Sequence, residues 1–291
     1  MHVPSRRQFL RRTVTAATAP GLSVLGRKSL HANPLGLPIG LELYTVRNEL
    51  EKDFAGTIKK VAAIGYKEVE LYAFLNKPAS EIRRVIADNG LVCPVAHYDM
   101  TLEPKLAKEI AYAHELGLKY MLIAWLTPEQ RTPLDKYKRH AEFFNRAGEE
   151  AKKAGIQFGY HHHNFEFKTV EGVVPFDELL RWTDPRLVKI ELDCFWMTWA
   201  GRDPVAYMTR DPERFPLLHI KDRKPGMGTS TDVDDKPGPF TEVGRGVIDW
   251  KPIFAAAKPG VKHYFVEQDF CDRPTIESAR ISYEYLRSLS S

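Results

Sequence analysis

The chain has 291 residues, of which 43% are apolar and 27% are charged, and it contains three cysteines. These proportions are typical of a globular protein with a large core, and the length suits two small domains or one (β/α)8 barrel. An odd number of widely spaced cysteines argues against a disulfide framework. The chain also has no uninterrupted run of about 18 apolar residues, so a membrane-spanning helix is not predicted.

The first 32 residues have the pattern of an export signal. Residues 5–12 are Ser-Arg-Arg-Gln-Phe-Leu-Arg-Arg, a mildly apolar run follows over residues 13–25, and the small residue Ala32 comes after two further basic residues. This pattern resembles a twin-arginine (Tat) signal, which a receptor recognises and which is not part of the fold. We therefore expect a signal over residues 1–32, a mature domain over residues 33–291, and a periplasmic or secreted protein.

The net charge of the chain depends on this signal. The whole chain carries +4, but without residues 1–32 it has 36 Lys or Arg against 38 acids, a net charge of −2. A slightly acidic protein is poorly suited to broad contacts with phosphate backbones. We expect no nucleic-acid partner, and no membrane partner once the signal is removed.

From Leu35 onward, short apolar runs alternate with helical patterns. The predicted strands are Ile39–Leu43, Tyr66–Leu71, Leu91–His97, Tyr120–Ala124, Ile156–His162, Val188–Asp193, Leu217–Lys221 and Lys262–Glu267. The predicted helices are Phe54–Ile64, Ala79–Asp88, Lys105–Leu116, Leu134–Ala154, Phe176–Trp182, Pro204–Thr209, Trp250–Ala257 and Thr275–Leu289. Eight strand–helix units in one domain predict a closed (β/α)8 TIM barrel.

Two further features bear on this fold. A doubly wound open sheet is the alternative, but the first strand lacks the glycine-rich phosphate loop expected there. Residues 223–247 are rich in Gly, Pro and Asp and are predicted to form a long loop. Loops of this length are often lids over functional sites.

The fifth predicted strand ends in three histidines, and an acid follows them. Successive strand residues point to opposite faces, so His161 and His163 are expected on one face and His162 on the other. Glu166 lies three residues after His163. Histidines at the end of a buried strand can serve as metal ligands or as bases.

Other chemically active residues lie where the predicted strands end, which is where TIM barrels place their active sites. They are Glu42, Tyr44, Glu70, Tyr72, His97, Asp193, His219, Lys221, Asp222, Glu267 and Asp269. Buried charges are costly unless they are paired or bound to metal. Carboxylates with one or two imidazoles suit Mn²⁺, Zn²⁺, Co²⁺ or Fe²⁺, although a structural salt-bridge network is the alternative.

Four segments in order carry a family resemblance. They are residues 190–196 (Ile-Glu-Leu-Asp-Cys-Phe-Trp), 218–222 (Leu-His-Ile-Lys-Asp), 244–250 (Gly-Arg-Gly-Val-Ile-Asp-Trp) and 265–269 (Phe-Val-Glu-Gln-Asp). The chain resembles the sugar phosphate isomerase/epimerase family of xylose isomerase-like barrels, over essentially all of residues 35–289. The segment Tyr-His-x-His-Asn-Phe-Glu-Phe at residues 160–167 resembles the exported bacterial branch of that family.

The resemblance implies a metal held by Glu, Asp, His and Glu at the ends of strands five to eight. The last three correspond to Asp193, His219 and Glu267, while the usual position of the first is occupied by His161. Either His161 replaces that carboxylate or Glu166 reaches back to the ion, and we expect Glu166. Related epimerases also carry a His three residues after the Asp, where this chain has Trp196, a side chain that cannot transfer a proton.

These residues predict a divalent-metal-dependent isomerase or epimerase that removes a proton next to the carbonyl of a sugar or keto-sugar. His163 or Glu267 is the expected base, and Lys221 the expected partner of the oxyanion. The substrate-binding residues are predicted to be His97, His161, Trp125, Trp196 and Glu70, although simple core packing is an equal alternative for the aromatic ones.

Three alternatives remain. A lyase or hydrolase that cleaves 3-keto-glycosides by elimination uses the same parts, and export favours it. An abasic-site endonuclease or a non-catalytic sugar-binding protein is a weaker hypothesis. The expected partner is a small carbohydrate, and the resemblance leaves a homo-oligomer open.

Overall fold

The structure is a computed structural model that describes residues 33–232 and 238–289. The predicted export signal in residues 1–32 lies outside the described residues. Eight strands form a closed parallel barrel in the order β1-β10-β7-β6-β5-β4-β3-β2, and a separate antiparallel pair consists of β8 and β9. The predicted TIM barrel is therefore confirmed, and the open doubly wound sheet is excluded.

The bounds of the elements follow the alternation seen in the sequence. The strands are β1 Gly40–Glu42, β2 Glu68–Leu71, β3 Val92–Asp99, β4 Tyr120–Trp125, β5 Gln157–His161, β6 Val188–Asp193, β7 Leu217–Ile220, β8 Asp222–Arg223, β9 Phe240–Thr241 and β10 His263–Val266. The helices are α1 Arg47–Lys52, α2 Phe54–Ile64, α3 Ala79–Asp88, α4 Leu106–Leu116, α5 Leu134–Lys153, α6 Pro175–Trp182, α7 Cys194–Trp199, α8 Pro204–Arg210, α9 Trp250–Ala257 and α10 Thr275–Ser288.

Two short helices and one hairpin were absent from the sequence prediction. The six residues of α7 are mostly apolar and show no helical periodicity, but the Asp193 side chain caps this helix by accepting from the backbone N–H of Trp196. The six residues of α1 are largely charged. Within the predicted loop 223–247, β9 pairs with β8, and Phe240 is buried.

The barrel interior has an apolar floor and a charged upper half. Val95, Leu122, Leu217 and Phe265 pack together as the floor. Gly159 lies beside Leu122, and a Cβ at Gly159 would approach the Leu122 Cδ2 atom to 2.5 Å. A larger core between the strands and the helices includes Phe144, Phe158 and Tyr160.

Among the described residues, no helix is long and apolar enough to cross a membrane. The apolar surfaces of the helices instead face the barrel, as the large shared cluster of buried side chains shows.

Candidate active site

The charged half of the barrel is built by strand alternation. Glu191 and Asp193 are two residues apart in β6, so they share the pore-facing side of the strand. Asp193 pairs in register with His219 of β7, and His161 of β5 pairs with Glu191. All four residues are at most 2% exposed, so short strands have brought several polar groups that are costly to bury into one space.

Three of the predicted metal ligands come together in this space. Asp193, His219 and Glu267 each offer a ligand atom, and these atoms lie within 4.8 Å of one another. The His219 Nδ1 atom is 2.8 Å from the Glu267 Oε2 atom and 3.6 Å from the Asp193 Oδ2 atom. The predicted convergence of these three residues is thus present in the structure.

The donor set of this group fits a divalent ion. The Asp193 Oδ2 and His219 Nδ1 atoms are both buried, and Asp193 Oδ2 lies 3.1 Å from the Lys221 ammonium. Two carboxylates and one imidazole suit Mn²⁺, Fe²⁺, Co²⁺ or Zn²⁺. His161, whose Nε2 atom lies 3.9 Å from Asp193 Oδ2, is the remaining nitrogen beside the group.

The second nitrogen of His219 faces two more carboxylates. Its Nε2 atom is 2.7 Å from Glu70 Oε2 and 3.1 Å from Glu191 Oε2. Because carboxylates only accept, Nε2 donates to Glu70 and Glu191, and by the same rule Nδ1 of the protonated imidazole donates to Glu267; a bound divalent ion would replace the hydrogen on Nδ1. This arrangement, a ligating histidine oriented by a carboxylate, is common around protein metals. Burial lowers the pKa of His219, but Glu191, Glu70 and Glu267 outweigh burial and raise it.

Glu191 is a buried acid of this centre that the sequence analysis did not single out. Its Oε2 atom lies 2.9 Å from His97 Nε2, 3.1 Å from His161 Nδ1 and 3.1 Å from His219 Nε2. Despite the cost of burial, these histidines hold the pKa of Glu191 well below its usual range. Its position two residues before Asp193 could have revealed it, because i and i+2 share one face of a strand.

Two of the predicted substrate-binding residues, His97 and Glu70, differ in whether they reach the cavity. His97 lines the open cavity, where its Nε2 atom contacts both Glu70 and Glu191. Glu70 is fully buried below the cavity and is not among the residues that line it. The prediction that Glu70 contacts substrate is therefore corrected, because its carboxylate is occupied by His97 and His219 beneath the cavity floor.

His161 lines the same cavity and is 2% exposed. Burial, reinforced by the neighbouring His219, lowers the pKa of His161 to about 3, so this imidazole is neutral. Its Nδ1 atom faces Glu191 and its Nε2 atom faces Asp193. His161 thus occupies the place at the end of β5 that the sequence analysis assigned to either a histidine or a carboxylate.

Glu166 lies outside this centre. Its carboxylate accepts hydrogen bonds from the Tyr160 hydroxyl and from the backbone N–H of His163, and it belongs to none of the groups of possible metal ligands among the described residues. Tyr160 points away from the pore because it alternates with His161. The expectation that Glu166 reaches back to the ion is corrected: burial between barrel and helices raises its pKa to about 7.

Lys221 lies at the cavity end of the ligand group. Its Nζ atom is 2.7 Å from Glu267, 3.1 Å from Asp193 and 3.0 Å from Asp269. Burial lowers the pKa of Lys221, but Asp193, Asp269 and Glu267 reverse this effect and raise it well above its usual value. A fixed ammonium group that lines the cavity can stabilise a developing oxyanion.

His163 also lines this cavity, and three aromatic rings surround it. The ring centroids of Trp125, Phe165 and Trp196 lie 4.8, 5.6 and 5.1 Å from that of His163. Burial and the nearby His161 lower the pKa of His163 well below its usual value. Its buried Nδ1 atom has no hydrogen-bond partner in the described parts of the chain. The imidazole is therefore neutral, and it is a weaker base than a free histidine.

One cavity of about 690 Å³ joins these groups. Of the predicted site residues, those that line it are His97, Trp125, His161, His163, Trp196, Lys221 and Glu267. Asp193 and His219 lie just behind this surface, with both side chains fully buried. A concave cavity that is rich in aromatic side chains and has a few convergent polar groups is the usual form of a small-molecule site.

Fold and site together define a barrel enzyme with a carboxylate–histidine centre at the C-terminal ends of its strands. A family model described as the xylose isomerase-like TIM barrel matches residues 58–289, and the chain belongs to that family. The inosose dehydratase of Lacticaseibacillus casei is 26% identical over 234 residues, which cover 71% of this chain and 78% of that protein.

Two solved structures show the same fold. A sugar phosphate isomerase/epimerase from Parabacteroides distasonis has a TM-score of 0.73 and 28% identity, with 86% of this chain and 94% of that chain covered. The IOLI protein, solved with a bound zinc atom, has a TM-score of 0.69 and 14% identity, with coverage of 87% and 98%.

Proposed function

We propose that the protein is a divalent-metal-dependent lyase. It removes a proton next to the carbonyl of a sugar or cyclic polyol ketone and eliminates an oxygen substituent from the next carbon. The observation that carries this proposal is the placement of a neutral imidazole, His163, and a charged ammonium, Lys221, on one cavity beside the Asp193–His219–Glu267 group. The similarity to inosose dehydratase supports elimination over the isomerisation favoured by the sequence alone.

Asp193, His219 and Glu267 would hold the ion, with His161 as the fourth candidate ligand. A bound divalent ion polarises a ketone oxygen and makes the adjacent C–H more acidic. Glu70 and Glu191 accept from Nε2 of His219, which would leave Nδ1 as the nitrogen that binds the ion. The carboxylates of Asp193 and Glu267 also hold the Lys221 ammonium in place.

The protein side chains then move two protons. The imidazole of His163 accepts the proton from the carbon next to the ketone, and the electron pair of that C–H bond forms a carbon–carbon double bond. The C–O bond at the neighbouring carbon breaks, and the leaving oxygen takes a proton from the Lys221 ammonium group. The products are an unsaturated ketone and water or an alcohol, and solvent restores both side chains. Glu267 is the alternative base.

Trp196 favours elimination over epimerisation. Its indole is 4% exposed and lines the cavity, and its Nε1 atom has no hydrogen-bond partner among the described residues. An indole N–H can donate a hydrogen bond to a hydroxyl of the substrate, but it cannot exchange protons with carbon. Trp196 itself therefore cannot serve as the second base that inversion at carbon needs.

A metal-dependent isomerase or epimerase remains the second candidate, which the 28% identity to the P. distasonis protein favours. Both candidates are tested by incubating pure protein and Mn²⁺ with ketoses, inososes and 3-keto-glucosides in D₂O. Elimination releases water or the aglycone and forms an unsaturated ketone, whereas isomerisation incorporates deuterium without cleavage. If no substrate gives either result, both candidates are refuted.

His163→Asn should lower the turnover of any active substrate by about 100-fold, because general-base catalysis typically contributes 10²–10⁴-fold. The variant should retain the metal content of the wild type. His140→Asn is the matched control, since His140 is a mostly buried histidine on α5 that bonds to the Gln130 carbonyl outside the cavity. Equal activity of the two variants would remove His163 as the base.

A further inference from the structure

The cavity extends well beyond the groups that surround the candidate ion. Tyr98 near the end of β3, Leu102 after β3, and Tyr72 and Phe74 after β2 all line the cavity, and we define these four residues as the aromatic lobe. The ring centroids of Phe74 and Tyr98 are 5.2 Å apart. Phe74 is supported from behind by Tyr112, at 4.8 Å, which does not line the cavity.

The aromatic lobe lies across the barrel mouth from Asp193 and His219. In the closed strand order, β3 is four strands away from β7, and β2 is four strands away from β6. These are the opposite positions of an eight-stranded ring. A substrate that begins beside Asp193 and His219 and extends across the mouth therefore reaches Tyr98 and Phe74.

Two tyrosine hydroxyl groups in the lobe are without a hydrogen-bond partner among the described residues. The Oη atoms of Tyr72 and Tyr98 are buried, and neither has a hydrogen-bond partner among residues 33–232 and 238–289. The hydroxyl of the adjacent Tyr112 is different, since it donates to the Lys77 carbonyl. Buried hydroxyls in native proteins nearly always have a partner, so a ligand with oxygen atoms suits this lobe.

We propose that the aromatic lobe is a subsite for a second ring of the substrate, so that the enzyme acts on a glycoside of two rings and not on a free monosaccharide. The inference rests on the proposed function for the placement of the first ring. The shared chemistry of the second ring is an apolar face that stacks on Phe74 and an oxygen that bonds to Tyr72 or Tyr98. Both another sugar and an aryl group with oxygen substituents have that chemistry.

The volume agrees with this assignment. The cavity of about 690 Å³ lies in the upper part of the range of about 300–1,000 Å³ for small-molecule sites. A single sugar ring beside Asp193 and Glu267 would contact His163, Trp196 and Lys221 and leave the opposite lobe open, and a second ring would occupy that lobe.

The test compares ligands of one and two rings on the full protein with excess Mn²⁺. Methyl β-glucoside, cellobiose and 4-hydroxyphenyl β-glucoside are titrated by calorimetry. At least one two-ring ligand should bind about tenfold more tightly than the methyl glucoside, because aromatic contacts and one hydrogen bond together are worth about that factor. Tighter binding of cellobiose identifies a sugar in the lobe, and tighter binding of the aryl glucoside identifies an aryl group.

Substitutions in the lobe locate the effect. Phe74→Leu and Tyr98→Phe, which preserve volume well, should reduce the preference for two-ring ligands several-fold and leave the affinity for methyl glucoside unchanged. Tyr112→Phe is the matched control, because its hydroxyl is already paired outside the cavity. Equal affinities of all three ligands for the wild type, or a preference that neither lobe variant changes, would overturn the proposal.

The proposed function can fail separately. If keto-sugars give no elimination but two-ring ligands still bind more tightly through Phe74 and Tyr98, the subsite stands and the lyase assignment is wrong. If elimination occurs and one-ring and two-ring substrates are used equally, the lyase assignment stands and the subsite is wrong.

Discussion

At the scale of single residues, Glu166 shows how a nearby carboxylate can be mistaken for a ligand. Its separation from His161 is only five residues, but its side chain accepts from Tyr160 and from the His163 backbone. These two bonds fix the chain just after β5, where the His163 ring enters the cavity. Glu166 is therefore a positioning residue for His163 and does not itself line the cavity.

Glu166→Gln tests this role through the pH dependence of stability. Burial raises the pKa of Glu166 from 4.5 to about 7. A raised pKa means that the folded state binds the proton more tightly, so this contribution to stability is present below pH 4.5 and is lost as pH rises through 7. Relative to the wild type, the variant should gain up to about 3 kcal/mol in the free energy of unfolding between pH 4.5 and 8.

The measurement is urea unfolding at several pH values, together with the metal content of both proteins. The Gln carbonyl can still accept from the Tyr160 hydroxyl or the His163 N–H, so bound metal should equal that of the wild type. Loss of metal in the variant would restore Glu166 as a ligand, and an unchanged pH profile would refute the raised pKa.

At the scale of the elements, Asp222 organises the long segment after β7. Its carboxylate accepts from the backbone N–H groups of Gly244, Gly246 and Ile248 and from the Trp250 indole. Gly246 packs directly against this carboxylate, where a Cβ would collide with it. Asp222 therefore belongs to the scaffold of the loop, although its place at a strand end made it a candidate for the site.

Asp222→Ala should destabilise the protein by about 2–4 kcal/mol, because several buried donors lose a charged acceptor together. Asp249→Ala is the control, because it removes the same side chain from a helix cap. The Asp249 carboxylate accepts from the Lys251 N–H at the start of α9, and a cap of this kind is worth about 1 kcal/mol. Chemical denaturation of both variants measures the difference. A smaller loss for Asp222→Ala than for Asp249→Ala would contradict its organising role.

At the scale of the whole molecule, ion binding should stabilise the fold, because the ligand atoms come from β6, β7 and β10. At a Mn²⁺ concentration 100 times the dissociation constant, binding adds about 2.7 kcal/mol, which raises the melting temperature by about 5 °C. Asp193→Asn should lose this response. Asp177→Asn, which changes an acid on α6 that accepts from the Tyr207 hydroxyl, should keep it.

Differential scanning calorimetry with and without Mn²⁺ measures the response. A wild-type melting temperature that no divalent ion raises would contradict the metal centre. A response that survives in Asp193→Asn would place the ion elsewhere in the barrel.

We also propose that residues 1–32 direct export through the twin-arginine pathway. Replacing Arg6 and Arg7 together by Lys preserves the charge and removes the recognition pattern. The variant should remain in the cytoplasm of a Tat-competent bacterium, while the wild type reaches the periplasm. Replacement of Arg11 and Arg12 by Lys is the control with the same change in composition, and equal export of both variants would exclude this signal.

The sequence by itself determined the fold and much of the site. Alternation of strands and helices predicted the barrel, since parallel strands joined by helices close in few ways. The strand-end positions of Asp193, His219 and Glu267 followed from that topology, because TIM barrels place the carboxyl ends of their strands at one mouth. His163 and Trp196 were also predicted for the cavity, which they line.

Only the tertiary structure decided which polar residues share a space. Glu191, Glu70 and Glu166 are all buried acids at or near strand ends, yet the first two support histidines below the cavity and the third lies outside the pore. Sequence spacing gives the face of a strand but not its depth or the direction of the chain after the strand ends. Those depend on barrel register and on long-range contacts, which bring the opposite lobe of Phe74 and Tyr98 to the same cavity as His219.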